Sequence, residues 1–367
     1  MRQPVSRRDF LKLSGLGLGA LAFDARPRLA ALPEFPNAAH LGRILSKVDV
    51  RSAPSDGASI IKYLYEDNVV EWGRETIGPM AGRINQRWVE TPEGYIYAAD
   101  IQPVRNQPNT PVSALPEGKP GFWAEVTVPY VDLIQDGAPI SPWAKDLPQY
   151  NLVPRLYYTQ VAWIDQIRVD GATTYYRFNE DAGHGYGYGD IFWADGAAFR
   201  PLTADDVSPI NPDVDPAQKK VYINLTYQTL SCYEGGTEVY FCRISSGAKW
   251  DANGNIVDKW STPLGADQMT WRKAISIHMS GGSTGAGYDT PAISWTNLFN
   301  QGGVAIHGAF WHNDFGAPRS HGCVNARPED AKWIFRWGAP NVSLDQSDIT
   351  MEWPNGGTLI TVDEKRV

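Results

Sequence analysis

The chain holds three cysteines, and the last of them, Cys323, stands among imidazoles and glycines. From His307-Gly308-Ala309-Phe310-Trp311 the sequence runs through His312 to Arg319 and closes on Ser320-His321-Gly322-Cys323-Val324-Asn325. A cysteine attacks as its thiolate, and a histidine can take the proton at neutral pH. Cys323 as nucleophile with His307 as general base therefore points to covalent acyl transfer. Gly322, inside a tight Ser-His-Gly-Cys turn, permits close backbone approach to a bound oxyanion. The backbone amides of His321, Gly322 and Cys323 are the expected oxyanion donors, each worth about 3 kcal/mol in comparable sites. Ser320 and His321 shape the turn.

A metal centre is the competing chemistry, because His307, His312, Asp314, His321 and Cys323 crowd one segment. No His-Glu-x-x-His or Cys-x-x-Cys spacing occurs there, and His321 with Cys323 two residues on would make an awkward chelate on a tight turn. No metal and no other cofactor is expected. Met279-Ser280-Gly281-Gly282-Ser283-Thr284-Gly285 is too irregular for a phosphate loop. With Tyr288 and Trp295 nearby it reads as a flexible lid over the active groove, and those two aromatics as substrate contacts. His278 and His40 read as structural or exposed, and His184, in Gly183–Gly189, as part of a mobile aromatic loop.

The elements that must position these residues are mostly β. With 35 Gly, 27 Pro, 14 Trp and 17 Tyr, the composition favours short strands and turns over long helices. Lys219–Leu225 and Thr237–Ile244 alternate as a β-hairpin opening the last domain, Asp251–Asn255 is a second turn, and Trp271–Met279 a further strand. The apolar Gly303–Ile306 leads into His307, so His307 and Cys323 are expected to meet on adjacent strands. One helix is expected after the turn, Arg327–Trp337, with Pro and acids at its start and Gly338 at its end. Cys232 and Cys242 flank a hairpin tip at Glu234–Thr237. Pairing Tyr233 with Glu238 sets Val239 opposite Cys232, which leaves the two cysteines three positions out of register, on opposite faces, as small buried residues without a disulfide.

At 367 residues the chain holds about two or three domains, and three are preferred here. The net charge of −8 argues against nucleic acid as a partner, since phosphate binding needs a concentrated basic face. Residues 1–39 read as a signal and linker. Ser6-Arg7-Arg8-Asp9-Phe10-Leu11-Lys12, followed by the apolar Leu13–Phe23, has the form of a twin-arginine export signal, with small residues for cleavage at Ala20-Leu21-Ala22 or Leu29-Ala30-Ala31. The apolar run is too short to span a bilayer, which takes about 20 residues. Residues 40–105 read as short strands in a small β-barrel, 106–120 as a Pro-rich linker, 121–216 as a β-rich segment that echoes the first barrel, and 217–367 as the catalytic domain. The echo lies in Phe192–Asp195 and Phe199–Leu202 against Tyr97–Asp100 and Ile101–Val104.

His-Gly, a short spacer and Ser-His-Gly-Cys-Val-Asn resemble the signature of the L,D-transpeptidases (YkuD-like), which cross-link peptidoglycan. Thr262-Pro263-Leu264-Gly265 is similar to that family's Thr-Pro-x-Gly. The resemblance covers roughly residues 219 to 363, and the spacer between His307 and Ser320 is shorter than in many relatives. It implies a β-rich catalytic domain with one short helix. It further implies that the Gly308 carbonyl orients His307, a role for which Asp314 is the alternative, and that Asn325 bonds the substrate amide. Arg319 would attract the free carboxylate of a stem peptide, or stand as a surface arginine. The implied reaction is attack by Cys323 on the third stem residue, loss of the terminal D-alanine, and resolution of the thioester by a neighbouring amine as a 3→3 cross-link. Resolution by water would make it an L,D-carboxypeptidase. Stem peptides as donor and acceptor are the implied partners, and carbapenem β-lactams the implied inhibitors. A non-catalytic wall-binding protein is the remaining alternative. Val50-Arg51-Ser52-Ala53-Pro54 and Gly94-Tyr95-Ile96-Tyr97 resemble bacterial Src-homology-3-like (SH3-like) domains, which bind wall peptides or act as spacers and packing partners.

Overall fold

The computed structural model describes residues 31–183, 189–248, 260–281, 288–352 and 356–365. The expected export signal at Ser6–Phe23, the expected aromatic loop around His184, the expected turn at Asp251–Asn255 and residues 282–285 of the expected lid lie outside the described residues. So does the side chain of Tyr288, whose backbone opens a strand.

Apolar residues alternate along the N-terminal strands, and the chain folds them into two antiparallel sheets around one core. Leu41–Ile44 is flanked by Val69–Glu71 and Ile101–Val104, and a five-stranded sheet runs Ile60–Leu64, Val48–Arg51, Gly94–Tyr97, Arg87–Thr91, Glu75–Ile77. Ile44, Val50, Val89, Ile96 and Ile101 are buried between them. The Pro-rich stretch that follows is pinned to the next unit: Asn109 donates its N–H to Ala197 O at 2.8 Å, and Val112 to the Tyr176 hydroxyl at 2.7 Å.

The middle segment is a six-stranded antiparallel sheet in the order Ile134–Gln135, Ile191–Asp195, Thr173–Asn179, Val161–Asp170, Phe122–Val126, Phe199–Pro201, with a two-stranded ribbon of Tyr130–Asp132 and Arg155–Tyr157 beside it. Thr159, at φ +74°, turns the chain between Tyr157 and Val161. Both N-terminal units share one local device, a strand, a 3₁₀ turn and a strand, at Gly94–Val104 and at Ile191–Pro201.

The last domain stacks two five-stranded sheets. One runs Thr237–Arg243, Thr229–Glu234, Lys219–Asn224, Leu359–Asp363, Gly265–Met269; the other runs Val324–Ala326, Ala305–Gly308, Tyr288–Leu298, Arg272–Gly281, Asp348–Thr350. The strand holding His307 and the strand after Cys323 pair in parallel, with Ile306 opposite Val324 and His307 opposite Asn325. The helix Pro328–Trp337 follows, with Pro328 in its first turn and Glu329 and Asp330 near its positive end. Two buried lysines satisfy its last carbonyls: Lys219 Nζ donates to Trp337 O at 3.0 Å, and Lys273 Nζ to Phe335 O at 2.5 Å and Gly338 O at 2.6 Å.

Two expectations change here. A β-bulge between Cys232 and Tyr233 sets Cys232 opposite Tyr240 and Cys242 opposite Leu230. The two cysteines are therefore two positions apart and share one buried face, both as free thiols. Trp295 is not a groove residue. It is fully buried with Trp123, Val161, Ile275 and Phe335, in a core shared by the middle and C-terminal units. Its φ of +58° turns it inward from a strand whose neighbours line the pocket.

Candidate active site

His307 is held by its own strand. Its Nδ1 donates to Gly308 O at 3.0 Å, which fixes the neutral tautomer and leaves the Nε2 lone pair free to take a proton. Asp314 plays no part in this; its carboxylate accepts from Arg319 Nε at 2.8 Å and from Asn85 Nδ2 at 3.3 Å. Cys323 lies at the end of the turn, with Sγ 3.9 Å from Gly303 O. Both side chains line one pocket of about 270 Å³, walled by Met279, Thr290, Ile293 and Trp311 and edged by Arg319, Ser320, His321 and Asn325.

The turn is laced from three sides. Thr262 Oγ1 donates to Gly322 O at 2.8 Å and accepts the Gly247 N–H at 2.9 Å, so the threonine of Thr-Pro-x-Gly is a strut under the turn that carries Cys323. Ser246 O accepts the N–H groups of Arg319 and Ser320 at 2.9 and 3.0 Å, and Ser245 exchanges both backbone bonds with Asn325. Ser320 Oγ donates to Cys323 O and accepts the Gly322 N–H at 3.1 Å. That amide therefore serves the turn and is not a free oxyanion donor, which corrects the expectation of three donors. Gly322 sits at φ +125°, where only a glycine is unstrained, so the turn itself demands this residue.

Burial sets the resting charges. It raises the Cys323 thiol to about 11 against an opposing Ala305 amide, and lowers His307 to about 4 against the bond to Gly308. The resting pair is thus a neutral thiol and a neutral imidazole, rather than a preformed thiolate and imidazolium. Arg319 is exposed at the pocket edge, with its charge partly offset by Asp314. His321 packs edge-on against Trp260 with ring centroids 4.6 Å apart.

Sequence reasoning missed several contributors. Met279, Thr290, Ile293 and Trp311 line the pocket, yet they carry no chemical signature; only their place on strands flanking His307 could have found them. Gln228 holds the Ser246 segment, accepting the Ser246 N–H at 2.8 Å and donating to Ser246 Oγ at 2.7 Å. His278, read as structural or exposed, is fully buried between Glu180 of the middle unit and Asp289. Burial opposes its charge, but the bonds to Asp289 and Glu180 outweigh that and raise it to about 9.

Residues 218–350 match the YkuD family model, the L,D-transpeptidase catalytic domain. Among solved structures, an L,D-transpeptidase variant from Enterococcus faecium is similar at 21% identity over 40% of this chain and 50% of that one, with a TM-score of 0.30. This chain thus covers about half the length of that enzyme. A Mycobacterium smegmatis L,D-transpeptidase is similar at 17% identity, over 55% of this chain and 98% of that one, with a TM-score of 0.32. L,D-transpeptidase 3 from Mycobacterium tuberculosis, solved with a faropenem-derived adduct, is similar at 15% identity, over 65% of this chain and 93% of that one, with a TM-score of 0.30. No curated protein matches this sequence.

Proposed function

We propose that this protein is an exported peptidoglycan L,D-transpeptidase that forms 3→3 cross-links through an acyl-enzyme on Cys323. The observation that carries the reading is one pocket lined by Cys323 and by a His307 whose Nδ1 is engaged and whose Nε2 has no partner among the described residues. As the thiol sulfur bonds to the carbonyl carbon of the third stem residue, its proton passes to His307 Nε2. The carbon–nitrogen bond to the terminal D-alanine then breaks, and the imidazolium returns the proton to the leaving amine. An acceptor amine attacks the thioester, gives its proton to His307, and the thiol leaves reprotonated. The His321 and Cys323 N–H groups, rather than that of Gly322, are the oxyanion donors. Asn325 holds the substrate amide, Arg319 draws its carboxylate, and β-lactams acylate the same sulfur.

The first β unit serves as an SH3-like support, and Ser6–Phe23 as a twin-arginine signal. The test is mass analysis of muropeptides after incubating the protein with disaccharide-tetrapeptide. Wild type should yield 3→3 dimers and Cys323→Ala none. Dimers from the alanine variant would remove the enzyme reading, and tripeptide without dimers would make the protein an L,D-carboxypeptidase.

A further inference from the structure

The loop between His307 and Ser320 does more than connect them. His312, Asn313 and Asp314 are all buried on it. Asn313 is plugged into the N-terminal unit: its N–H donates to Ala99 O at 3.2 Å, and its Nδ2 to Ala98 O at 3.0 Å and Ile101 O at 3.2 Å, around the 3₁₀ turn Ala98–Asp100. Asp314 is held by Asn85 of the same unit. Arg43, also from that unit, donates to Phe310 O at 3.0 Å.

His312 sits between these anchors and the pocket wall. Its Nδ1 accepts the Asp314 N–H at 3.3 Å, and its Nε2 lies 2.9 Å from Asn325 Nδ2. Burial, with the nearby Arg319 and His307, keeps the ring neutral, its pKa lowered to about 3. A neutral imidazole that accepts at Nδ1 carries its one proton on Nε2. Two N–H groups cannot face each other across 2.9 Å, so the Asn325 carboxamide stands with Oδ1 toward the imidazole. Its other corner, buried at the pocket wall and without a partner among the described residues, then carries Nδ2.

We propose that His312 is a positioning residue: its Nε2–H turns the Asn325 carboxamide so that an N–H donor, not an acceptor, is offered to the substrate, and the N-terminal unit holds His312 in place through Asn313 and Asp314. The proposal rests on Cys323 acyl transfer and narrows it. The substrate atom beside Asn325 is a carbonyl or carboxylate oxygen, and the catalytic domain is incomplete without the first β unit.

The test has two arms on the full chain. In the first, long-range proton–nitrogen spectra of protein labelled with ¹⁵N-histidine, with His312 assigned by its loss in His312→Gln, should show the Nε2-protonated tautomer from pH 5.5 to 8. An Nδ1-protonated ring or an imidazolium overturns the proposal. In the second arm, Asn325→Asp places acceptors at both corners and should lower kcat/KM for the peptide donor roughly 10- to 100-fold, the effect of one lost buried hydrogen bond. Cys323 should still take a single iodoacetamide adduct, which shows that the pocket remains open. His312→Ala and Asn313→Ala should fall in the same direction, while His312→Gln, whose amide N–H can replace Nε2–H, stays within a few-fold of wild type. Wild-type kcat/KM in Asn325→Asp or His312→Ala sinks the idea. If wild-type protein does not turn over the peptide at all, the transpeptidase reading fails, and the tautomer is still read on its own.

Discussion

A neutral resting pair at Cys323 and His307 makes a quantitative prediction for thiol reactivity. The perturbation is pH, and the assay is the rate of single-adduct formation with iodoacetamide, read by intact mass. Cys232 and Cys242 are buried, and burial raises both thiols, so they stay silent in the folded protein. Burial raises Cys323 from an ordinary 9.0 to about 11. Two units mean about a hundredfold fewer thiolates at neutral pH. A more basic thiolate is also more nucleophilic, and a Brønsted slope of about 0.4–0.5 returns roughly eightfold. The net expectation is a rate about tenfold below that of an unshifted thiol. Cys323 is only partly covered, and water at the pocket mouth screens some of this push, so the reduction in rate has tenfold as its upper end. The shape of the profile is the sharper readout. With the thiol raised and His307 lowered, log rate should climb with pH from about 6 to 10 without a plateau, and His307→Ala should leave the climb unchanged while abolishing acyl transfer. A plateau between about pH 5 and 8, at a rate above that of a free thiol, would reveal a standing thiolate–imidazolium pair and refute the argument.

Trp295→Ala should destabilise the protein by about 3–5 kcal/mol in urea unfolding, as a core truncation does, where a substrate contact would instead raise KM at unchanged stability. His278 gains its proton affinity on folding, so its contribution is full below the unfolded value of 6.5 and is lost as pH rises through about 9. Glu180→Gln should flatten that alkaline loss of stability, and an unchanged alkaline limb would rule the ion pair out as its source. His307 and His312 have folded values of about 4 and about 3, so below 6.5 the unfolded chain holds more protons and stability falls with falling pH. His312→Gln should shallow that acid limb, measured by urea midpoints between about pH 7 and 4.5. Thr262→Val removes the strut under Gly322 and should cut turnover while leaving the unfolding free energy within about 1–3 kcal/mol of wild type; full turnover would show that the turn holds without it.

Much of this protein was legible in the residues themselves, because the chemistry is local. The thiol, the imidazole and the φ of +125° that Gly322 adopts all belong to short motifs whose residue types allow few alternatives. Period-two alternation marked the strands Lys219–Asn224, Thr237–Arg243 and Arg272–Gly281, and Pro328 with its acids and Gly338 marked the helix Pro328–Trp337, since these signals act within a turn or a strand. What the tertiary structure alone decided depends on groups far apart in sequence. A one-residue bulge moved Cys232 and Cys242 onto one face. A positive φ at Trp295 turned an expected groove residue into the core. Lys273, on a strand and fully buried, would be placed outside by any pattern of charge; only the helix end brought over it supplies the carbonyls that make its burial tolerable. The engagement of the Gly322 amide, the Thr262 strut and the grip of the first β unit on Asn313 are likewise hydrogen bonds between distant segments. Sequence names the groups that can react, but their charge and orientation follow from burial and from partners that only the folded chain brings within 3 Å or so.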